Sequence, residues 1–205
     1  MSLFASAQSS TKFPPIEPGT YPAVCSAIID IGEQYSEKFD KATHKVILQW
    51  EIPSETIETE EGQKTRVQSE TFTLSLNEKA ALRKVLESWR GKQFTDEELK
   101  RFDLRNILGV GCLITIIHKD SPNGNTYANV SSVSKLPKGF PAPAGTIIPW
   151  SFDLDDPDAI EKLAELPEWL QKRIQASEEY KAYQTKKELD PSAMPTVDPD
   201  DFPIN

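Results

Sequence analysis

Hydrophobic and polar residues alternate along the first third of the chain with the two-residue period of half-buried β-strands. The first candidate strand covers residues 21–31 (YPAVCSAIIDI), and the second covers residues 45–52 (KVILQWEI). A third strand is predicted over residues 66–76, with Phe72 and Leu74 facing inward. The second strand places four hydrophobic residues on one face: Val46, Leu48, Trp50 and Ile52.

After residue 76 the hydrophobic period lengthens to that of a helix. Four apolar residues recur at positions i, i+3, i+4 and i+7: Leu82, Val85, Leu86 and Trp89. Asn77 is the predicted N-cap of this helix, because an Asn side chain accepts hydrogen bonds from first-turn N–H groups. Thr95 and Glu98 have the spacing of a capping box, which predicts a second short helix. Two further strands are predicted over residues 111–118 and 126–136.

The order of three strands, helices and two strands is that of the oligonucleotide/oligosaccharide-binding (OB) fold. The predicted fold class is therefore mainly β with α: a five-stranded OB-fold barrel with a helical insert between strands 3 and 4. C-terminal helices and a disordered acidic tail are expected to follow the barrel. Other small α+β folds share this element order, and that alternative stays open.

The prolines mark the expected boundaries, since proline disrupts strand ladders and helix interiors. Fourteen of the 16 prolines lie in residues 1–22 and 137–205. Four segments are predicted: a flexible N-terminal arm (1–17), an OB-fold nucleic-acid-binding domain (18–138), a linker with a C-terminal helical extension (139–188), and a disordered acidic tail (189–205). Whether the C-terminal helices pack within one chain or bridge a homodimer is left open.

The net charge of −9 and the pI near 4.9 argue, taken alone, against a nucleic-acid binder. The charge is unevenly distributed, however. Residues 1–139 carry a net charge of −1, and residues 140–205 carry −8. A near-neutral body with an acidic extension remains compatible with binding nucleic acid.

Several other classes of protein are disfavoured by the sequence. The longest apolar runs are too short for a membrane span, and residues 1–7 lack the features of a signal peptide, so a cytoplasmic protein without membrane contact is expected. No phosphate-binding loop or dinucleotide fingerprint occurs, and His44 and His118 have no metal-type partner at a recognised spacing. We therefore expect no enzyme activity, no cofactor and no metal. Cys25 and Cys112 are interpreted as small core residues, with a disulfide or a reactive thiol as the alternatives.

OB-fold barrels bind their ligands on strands 2 and 3 and on the loops that join strands 1–2 and 4–5. Here the first of these loops is the polar stretch over residues 33–44. Aromatic side chains stack on bases, while lysines and arginines contact phosphates. The candidate nucleic-acid-binding residues in these regions are Tyr35, Lys38, Phe39, Lys41, Lys45, Gln49, Arg66, Lys119 and Tyr127. Tyr35 and Phe39 have an alternative role as a lid on the barrel mouth.

The end of the chain, residues 198–205 (DPDDFPIN), resembles the acidic tip of bacterial single-stranded DNA-binding proteins. In that family a run of aspartates precedes a short hydrophobic end with Pro and Phe; here Asn205 stands in place of a terminal phenylalanine. The resemblance implies that the tail docks on partner proteins and competes with DNA. A merely solubilising tail is the alternative. The candidate partner-binding residues are Asp198, Asp200, Asp201, Phe202, Pro203 and Ile204.

Further stretches look like bacteriophage single-stranded DNA-binding proteins: residues 18–23 (PGTYPA), 102–109 (FDLRNILG), 127–133 (YANVSSV), 154–158 (LDDPD) and 166–171 (LPEWLQ). The resemblance extends over roughly residues 14–182. This resemblance implies an OB fold, sequence-independent binding of single-stranded DNA, and a role in phage DNA replication or recombination. Its expected partners are single-stranded DNA and phage or host replication and recombination proteins. The rival hypothesis is an acidic protein-interaction module, such as a recombinase accessory protein or a DNA-mimic inhibitor, that binds no nucleic acid.

Overall fold

The structure is a computed structural model that describes residues 13–37 and 39–189 of the chain. The strands are β1 (Gly19–Ser36), β2 (Lys41–Thr59), β3 (Gly62–Thr73), β4 (Gly111–Asp120), β5 (Thr126–Ser134) and β6 (Trp150–Phe152). The helices are α1 (Ala81–Arg90), α2 (Asp96–Lys100), α3 (Ala159–Leu163), α4 (Glu168–Gln175) and α5 (Glu178–Leu189). A 3₁₀ turn covers Leu104–Ile107.

The strands form one antiparallel sheet that curls into a half-barrel. Its order is β3-β2-β1-β4-β5, and β6 pairs with β1. In the β1–β4 ladder Ala23 is opposite Cys112, and in the β4–β5 ladder Lys119 is opposite Tyr127. The expectation of a mainly β fold is therefore confirmed, and the finer assignment to an OB fold is taken up below.

The chain divides into two compact units. The sheet unit consists of the described parts of Met1–Ile29 and Val46–Ser151. The hairpin-helix unit consists of the described parts of Asp30–Lys45 and Phe152–Asn205. The four segments expected from the proline distribution stay a prediction.

The core of the sheet unit is built from the hydrophobic faces that the sequence periodicity marks. The alternating residues of β2 are buried, and Phe72 of β3 joins them. Helix α1 packs Leu82, Leu86 and Trp89 into the same cluster, with the Trp89 ring 6.1 Å from that of Trp50. Since these side chains recur at helical spacing, α1 buries one face against the core and leaves Lys84 on the exposed one.

The two cysteines belong to this core, as the sequence predicts. Cys25 and Cys112 are buried, and neither forms a disulfide. Burial raises the pKa of the Cys25 thiol to about 12. Both thiols therefore stay protonated near neutral pH and act as small apolar side chains rather than as nucleophiles.

The first hairpin corrects the predicted strand ends. Strand β1 continues to Ser36 and β2 begins at Lys41, so the predicted polar loop over residues 33–44 shrinks to residues 37–40. Hydrophobic alternation stops where the strands leave the core, but backbone pairing continues through polar residues. Asp40 turns the chain with a positive φ of 45°.

The segment between β3 and α1 holds two further corrections. Leu74 is exposed rather than inward-facing, because β3 ends at Thr73 and the alternation no longer applies. Helix α1 has Ala80 as its N-cap, without a side-chain capping bond, and the Asn77 carbonyl accepts a turn hydrogen bond from the Ala80 N–H. The capping box at Thr95 is confirmed by reciprocal hydrogen bonds between Thr95 and Glu98.

A fully buried carboxylate, that of Glu51 on β2, fixes the segment that follows β5. Its Oε1 accepts hydrogen bonds from the hydroxyls of Thr65 (2.7 Å) and Thr146 (2.6 Å), and the backbone N–H groups of Thr146 and Ile147 also donate to the carboxylate. Gly145 is needed for this approach, since a Cβ there would lie 2.8 Å from Glu51 Oε2. Burial raises the pKa of Glu51, but these hydrogen bonds outweigh it and hold the pKa below its usual value.

We expect the substitution Glu51→Gln to lower the free energy of unfolding by about 1–3 kcal/mol, because an amide NH₂ would then face backbone donors that need an acceptor. Urea denaturation measures this loss. Glu58→Gln, at an exposed position on the same strand, is the control and should change stability little. Equal effects of the two substitutions would contradict the role assigned to Glu51.

The stabilisation by Glu51 also has a defined pH dependence. Because the folded-state pKa is lowered, the contribution is present above the unfolded value of about 4.5 and is lost as the pH falls through the folded pKa. The stability difference between the wild type and Glu51→Gln should therefore narrow below about pH 4. A difference that stays constant from neutral to acidic pH would show that the carboxylate charge plays no part.

Candidate nucleic-acid interface

No helix in the described part of the chain has the length and hydropathy needed to cross a membrane. Residues 13–37 and 39–189 also contain no cluster of three or more His, Cys, Asp or Glu side chains placed to hold a metal ion. What they offer instead are surface grooves lined by basic and aromatic side chains.

One groove of the sheet unit brings together two of the predicted site residues, Arg66 and Tyr127. It has a volume of about 570 Å³ and lies between the segment that precedes β1, the middle of β3 and the start of β5. We call it the Arg66 groove. Its lining is Phe13, Pro14, Pro15, Ile16, Arg66, Gln68, Asn125, Thr126, Tyr127 and Ala128.

Two aromatic side chains of the Arg66 groove face solvent. Phe13 is 49% exposed and Tyr127 is 52% exposed. Tyr127 comes directly after the turn that joins β4 to β5, where Gly124 has a φ of 76° and Asp120 pairs with Thr126. Aromatic faces in this state can stack on nucleobases without first leaving a core.

Arg66 holds the segment before β1 in place. Its Nη2 donates a hydrogen bond to the Pro14 carbonyl (2.6 Å), and Nε2 of His118 lies 2.9 Å from the Ile16 carbonyl oxygen. Ile16 itself is buried in the core. The position of Phe13 is thus fixed by contacts on its C-terminal side, although the segment belongs to the predicted flexible arm.

The charge beside Tyr127 is positive. Lys119 is exposed and lies opposite Tyr127 in the β4–β5 ladder, so the two side chains are close neighbours on one face. The nearby acids are Glu70 on β3 and Asp120, whose carboxylate accepts a hydrogen bond from the Thr126 hydroxyl over 2.7 Å. Burial raises the pKa of Glu70, while the charge of Lys119 partly opposes that shift.

Gln68 joins the two edges of the sheet at the base of the Arg66 groove. Its Nε2 donates to the Ala128 carbonyl of β5 over 2.9 Å. Gln49, another predicted site residue, lies on β2 and does not line this groove. The side-chain oxygen of Gln49 is 3.3 Å from the Ser26 hydroxyl.

The remaining described candidates belong to the hairpin-helix unit. Tyr35 and Phe39 are strongly exposed, at 59% and 72%, and Lys41 is exposed while Lys45 is half-buried. The Tyr35 hydroxyl donates a hydrogen bond to the Asp40 carboxylate, which raises the pKa of Tyr35 and anchors its ring at the turn.

Some of the predicted residues cannot be placed. Lys38 lies outside the described residues, and so do all six candidates of the tail: Asp198, Asp200, Asp201, Phe202, Pro203 and Ile204. The assignments of the binding residues therefore stay predictions.

His44 anchors the hairpin within its own unit. Its Nε2 lies 2.6 Å from Asp30 Oδ1 on β1, and its Nδ1 lies 3.4 Å from Glu179 Oε1 on α5. Glu179 also accepts a hydrogen bond from the Glu33 N–H over 2.7 Å. Gly32, with a φ of 66°, leaves room for this contact, since a Cβ there would lie 2.6 Å from Glu179 Oε2. The hydrogen bond to Asp30 raises the pKa of His44, burial opposes the shift, and the charges of Asp30, Glu179 and Glu33 reinforce it.

Sequence reasoning missed Phe13 as a groove residue, and it also missed the contact between His44 and Glu179. An apolar side chain next to two prolines looks like part of a linker, and only the Arg66 contact shows that it lines a groove. The histidine and the glutamate are 135 positions apart, so no local motif connects them.

Comparison with known proteins gives no assignment: no protein-family model matches the chain, and no curated protein matches it either.

The contacts of His44 predict a pH-dependent stability. The pKa of His44 is raised in the folded state. The stabilisation that the imidazolium gives the fold is therefore fully present below the unfolded-state pKa of about 6.5, and it is lost as the pH rises through the folded-state pKa. The melting temperature of the wild type should therefore exceed that of His44→Gln by more at about pH 6 than at about pH 8.5. Differential scanning calorimetry at both pH values measures this difference. Asp30→Asn should likewise lower the melting temperature by more at about pH 6 than at about pH 8.5. A melting-temperature difference between wild type and His44→Gln that is the same at both pH values would contradict a stabilising role of the charged imidazole.

Proposed function

We propose that the chain is an OB-fold protein that binds single-stranded DNA without sequence preference. The strand order β3-β2-β1-β4-β5 supports the OB assignment, because it brings β3 and β5 to the two free edges that a five-stranded barrel must join. The Gln68–Ala128 hydrogen bond is one such link between the edges. Helices α1 and α2 fall between β3 and β4 along the chain, as they do in that fold.

The observation that carries the proposed function is the Arg66 groove. It combines exposed faces of Phe13 and Tyr127 with the guanidinium of Arg66, and Lys119 is adjacent to Tyr127 across the ladder. Non-specific binding of single strands needs this combination, with stacking platforms for bases and cations for phosphates. The groove lies at the β4–β5 turn and on β3, two of the regions that OB folds use for oligonucleotides.

Two features of the sequence add to the proposal. The likeness of several stretches to phage single-stranded DNA-binding proteins favours a role in phage DNA replication or recombination. The acidic residues 198–204 favour docking on partner proteins and competition with DNA, since an acidic segment and a phosphate backbone are drawn to the same cations.

The proposed function predicts that a fluorescently labelled oligo-dT binds the full chain, with an affinity that falls as salt rises through release of counterions. Tyr127→Ala should weaken binding by about 1–3 kcal/mol, the usual contribution of one stacked base. Phe13→Ala should act in the same direction. Fluorescence anisotropy at several salt concentrations measures both effects.

Tyr183→Ala is the matched control, because it removes an exposed tyrosine of α5, an element that does not line the groove. It should leave the affinity unchanged. An anisotropy that does not rise at low salt with micromolar protein would overturn the proposal and favour the acidic interaction module. Equal losses for Tyr127→Ala and Tyr183→Ala would remove the Arg66 groove as the binding site.

A further inference from the structure

A second pocket of the sheet unit lies at the C-terminal end of α1. It has a volume of about 510 Å³ and shares no lining residue with the Arg66 groove. Apolar walls come from Trp89, Phe102, Val110 and Leu136. Three cationic residues also line it: Arg90, Lys92 and Lys135. We call it the Arg90 pocket.

Arg90 is held rigidly at this pocket. Its side chain is 14% exposed, and the centre of its guanidinium lies 4.4 Å from the Phe94 ring centroid and 5.2 Å from that of Phe102. One nitrogen, Nη2, donates to Glu98. The other, Nη1, is buried without a hydrogen-bond partner among residues 13–37 and 39–189. An arginine donor buried in this way is unfavourable unless an acceptor reaches it.

The charge of the Arg90 pocket is unbalanced. Glu98 is the acid that pairs with Arg90, and its Oε1 also lies 3.7 Å from Lys92 Nζ. Lys135 is exposed and forms no ion pair with another described residue. Glu87 is a second acid whose charge acts on Arg90, but no described carboxylate pairs with Lys135. In a chain of net charge −9, this unpaired cation beside Arg90 and Lys92 makes a local site for an anion.

The apolar side chains that line the Arg90 pocket limit the kind of anion that can bind there. Trp89 is buried and donates its indole N–H to the Gly111 carbonyl, so its ring offers no open face. Phe102 packs edge-on against Phe94 at 5.0 Å and is covered by Arg90. A nucleobase would therefore find no aromatic platform here. An aliphatic or phenyl side chain flanked by carboxylates matches both the apolar walls and the cations.

From this arrangement we infer that the Arg90 pocket binds an acidic peptide segment that carries an apolar side chain. A carboxylate of the peptide pairs with Arg90 and Lys135, and the apolar side chain lies against Leu136 and Val110. The site is separate from the Arg66 groove and does not rest on nucleic-acid binding. Residues 198–205 of this chain (DPDDFPIN) have the required composition and therefore supply the probe.

The test uses a fluorescein-labelled peptide with the sequence of residues 198–205. The receptor is the full-length chain in which Asp200, Asp201 and Phe202 are replaced by Asn, Asn and Ser, so that its own end does not compete with the probe. We expect saturable binding by anisotropy that weakens as salt rises. A control peptide of the same order, in which the three aspartates are replaced by asparagines, should bind at least about tenfold more weakly, since charge-assisted hydrogen bonds are lost.

Variants of the receptor locate the site. Lys135→Glu, at an exposed position that should not disturb folding, is expected to weaken peptide binding about tenfold or more. Arg90→Gln should do the same, with circular dichroism confirming that it folds. Lys84→Glu makes the same charge change at an exposed position of α1 outside the pocket and should have little effect.

The outcomes separate this inference from the proposed function. Loss of peptide binding in Lys135→Glu, with oligo-dT affinity retained, supports it. Peptide binding that is equally weak in Lys84→Glu and Lys135→Glu, or absent from the receptor, overturns it. Loss of oligo-dT binding in Lys135→Glu with peptide binding intact would also overturn it and assign the pocket to nucleic acid.

Discussion

The sheet unit depends on the burial of β1 on both of its faces. Strand β1 lies in the middle of the sheet, with β2 on one side and β4 on the other, and its residues from Ala23 to Ile29 are all buried. The core covers one face, through Ala23 and Cys25. The other face needs a second cover, and the segment around Gly145 supplies it by packing against Val24. The buried carboxylate of Glu51 keeps that segment in place, because it collects the backbone donors that the segment would otherwise leave without partners.

This constraint explains why a chain with so many acids keeps positive charge in defined places. Among the described residues the fully buried acid is Glu51, and its charge is stabilised by hydrogen bonds rather than by a cation. Glu51 therefore needs no lysine or arginine beside it as a counter-ion. Arg66 lies in the Arg66 groove and Lys119 lies opposite the groove residue Tyr127, while Arg90 and Lys135 line the Arg90 pocket. The two positive sites differ in their walls, with open aromatic faces in the first and closed ones in the second.

Much of the architecture could be predicted because it follows from local periodicity. The two-residue alternation located the core of β2, and the helical repeat located α1 through Leu82, Leu86 and Trp89. Strand ends were harder, since the pairing of β1 with β2 beyond the core depends on backbone groups that every residue carries. Leu74 shows the opposite error, because an apolar side chain one residue past a strand no longer follows its alternation.

The sites were less predictable, because their defining contacts join distant parts of the chain. Glu51 looks like an ordinary solvent-facing acid of a strand, and its backbone donors lie 95 and 96 positions away. Arg66 was predicted from residue type and its place on the third strand, and Tyr127 from its place after the β4–β5 turn, but Phe13 required knowledge of the Arg66–Pro14 hydrogen bond. An arginine in the last turn of a surface helix is typical of a solvated position, and only the packing of Arg90 against Phe94 and Phe102 shows otherwise.

The double role of Arg66 has a consequence for how the Arg66 groove would work. One guanidinium nitrogen already donates a hydrogen bond to the Pro14 carbonyl. A phosphate would therefore accept hydrogen bonds from the remaining N–H groups of a side chain whose position is fixed before binding. Such preorganisation lowers the entropy lost on binding. It also couples the cation to the stacking platform, because the contact that positions Arg66 is the one that places Phe13. A substitution at Arg66 would therefore disturb both, whereas Tyr127, which is fixed by its turn and ladder, reports on stacking alone.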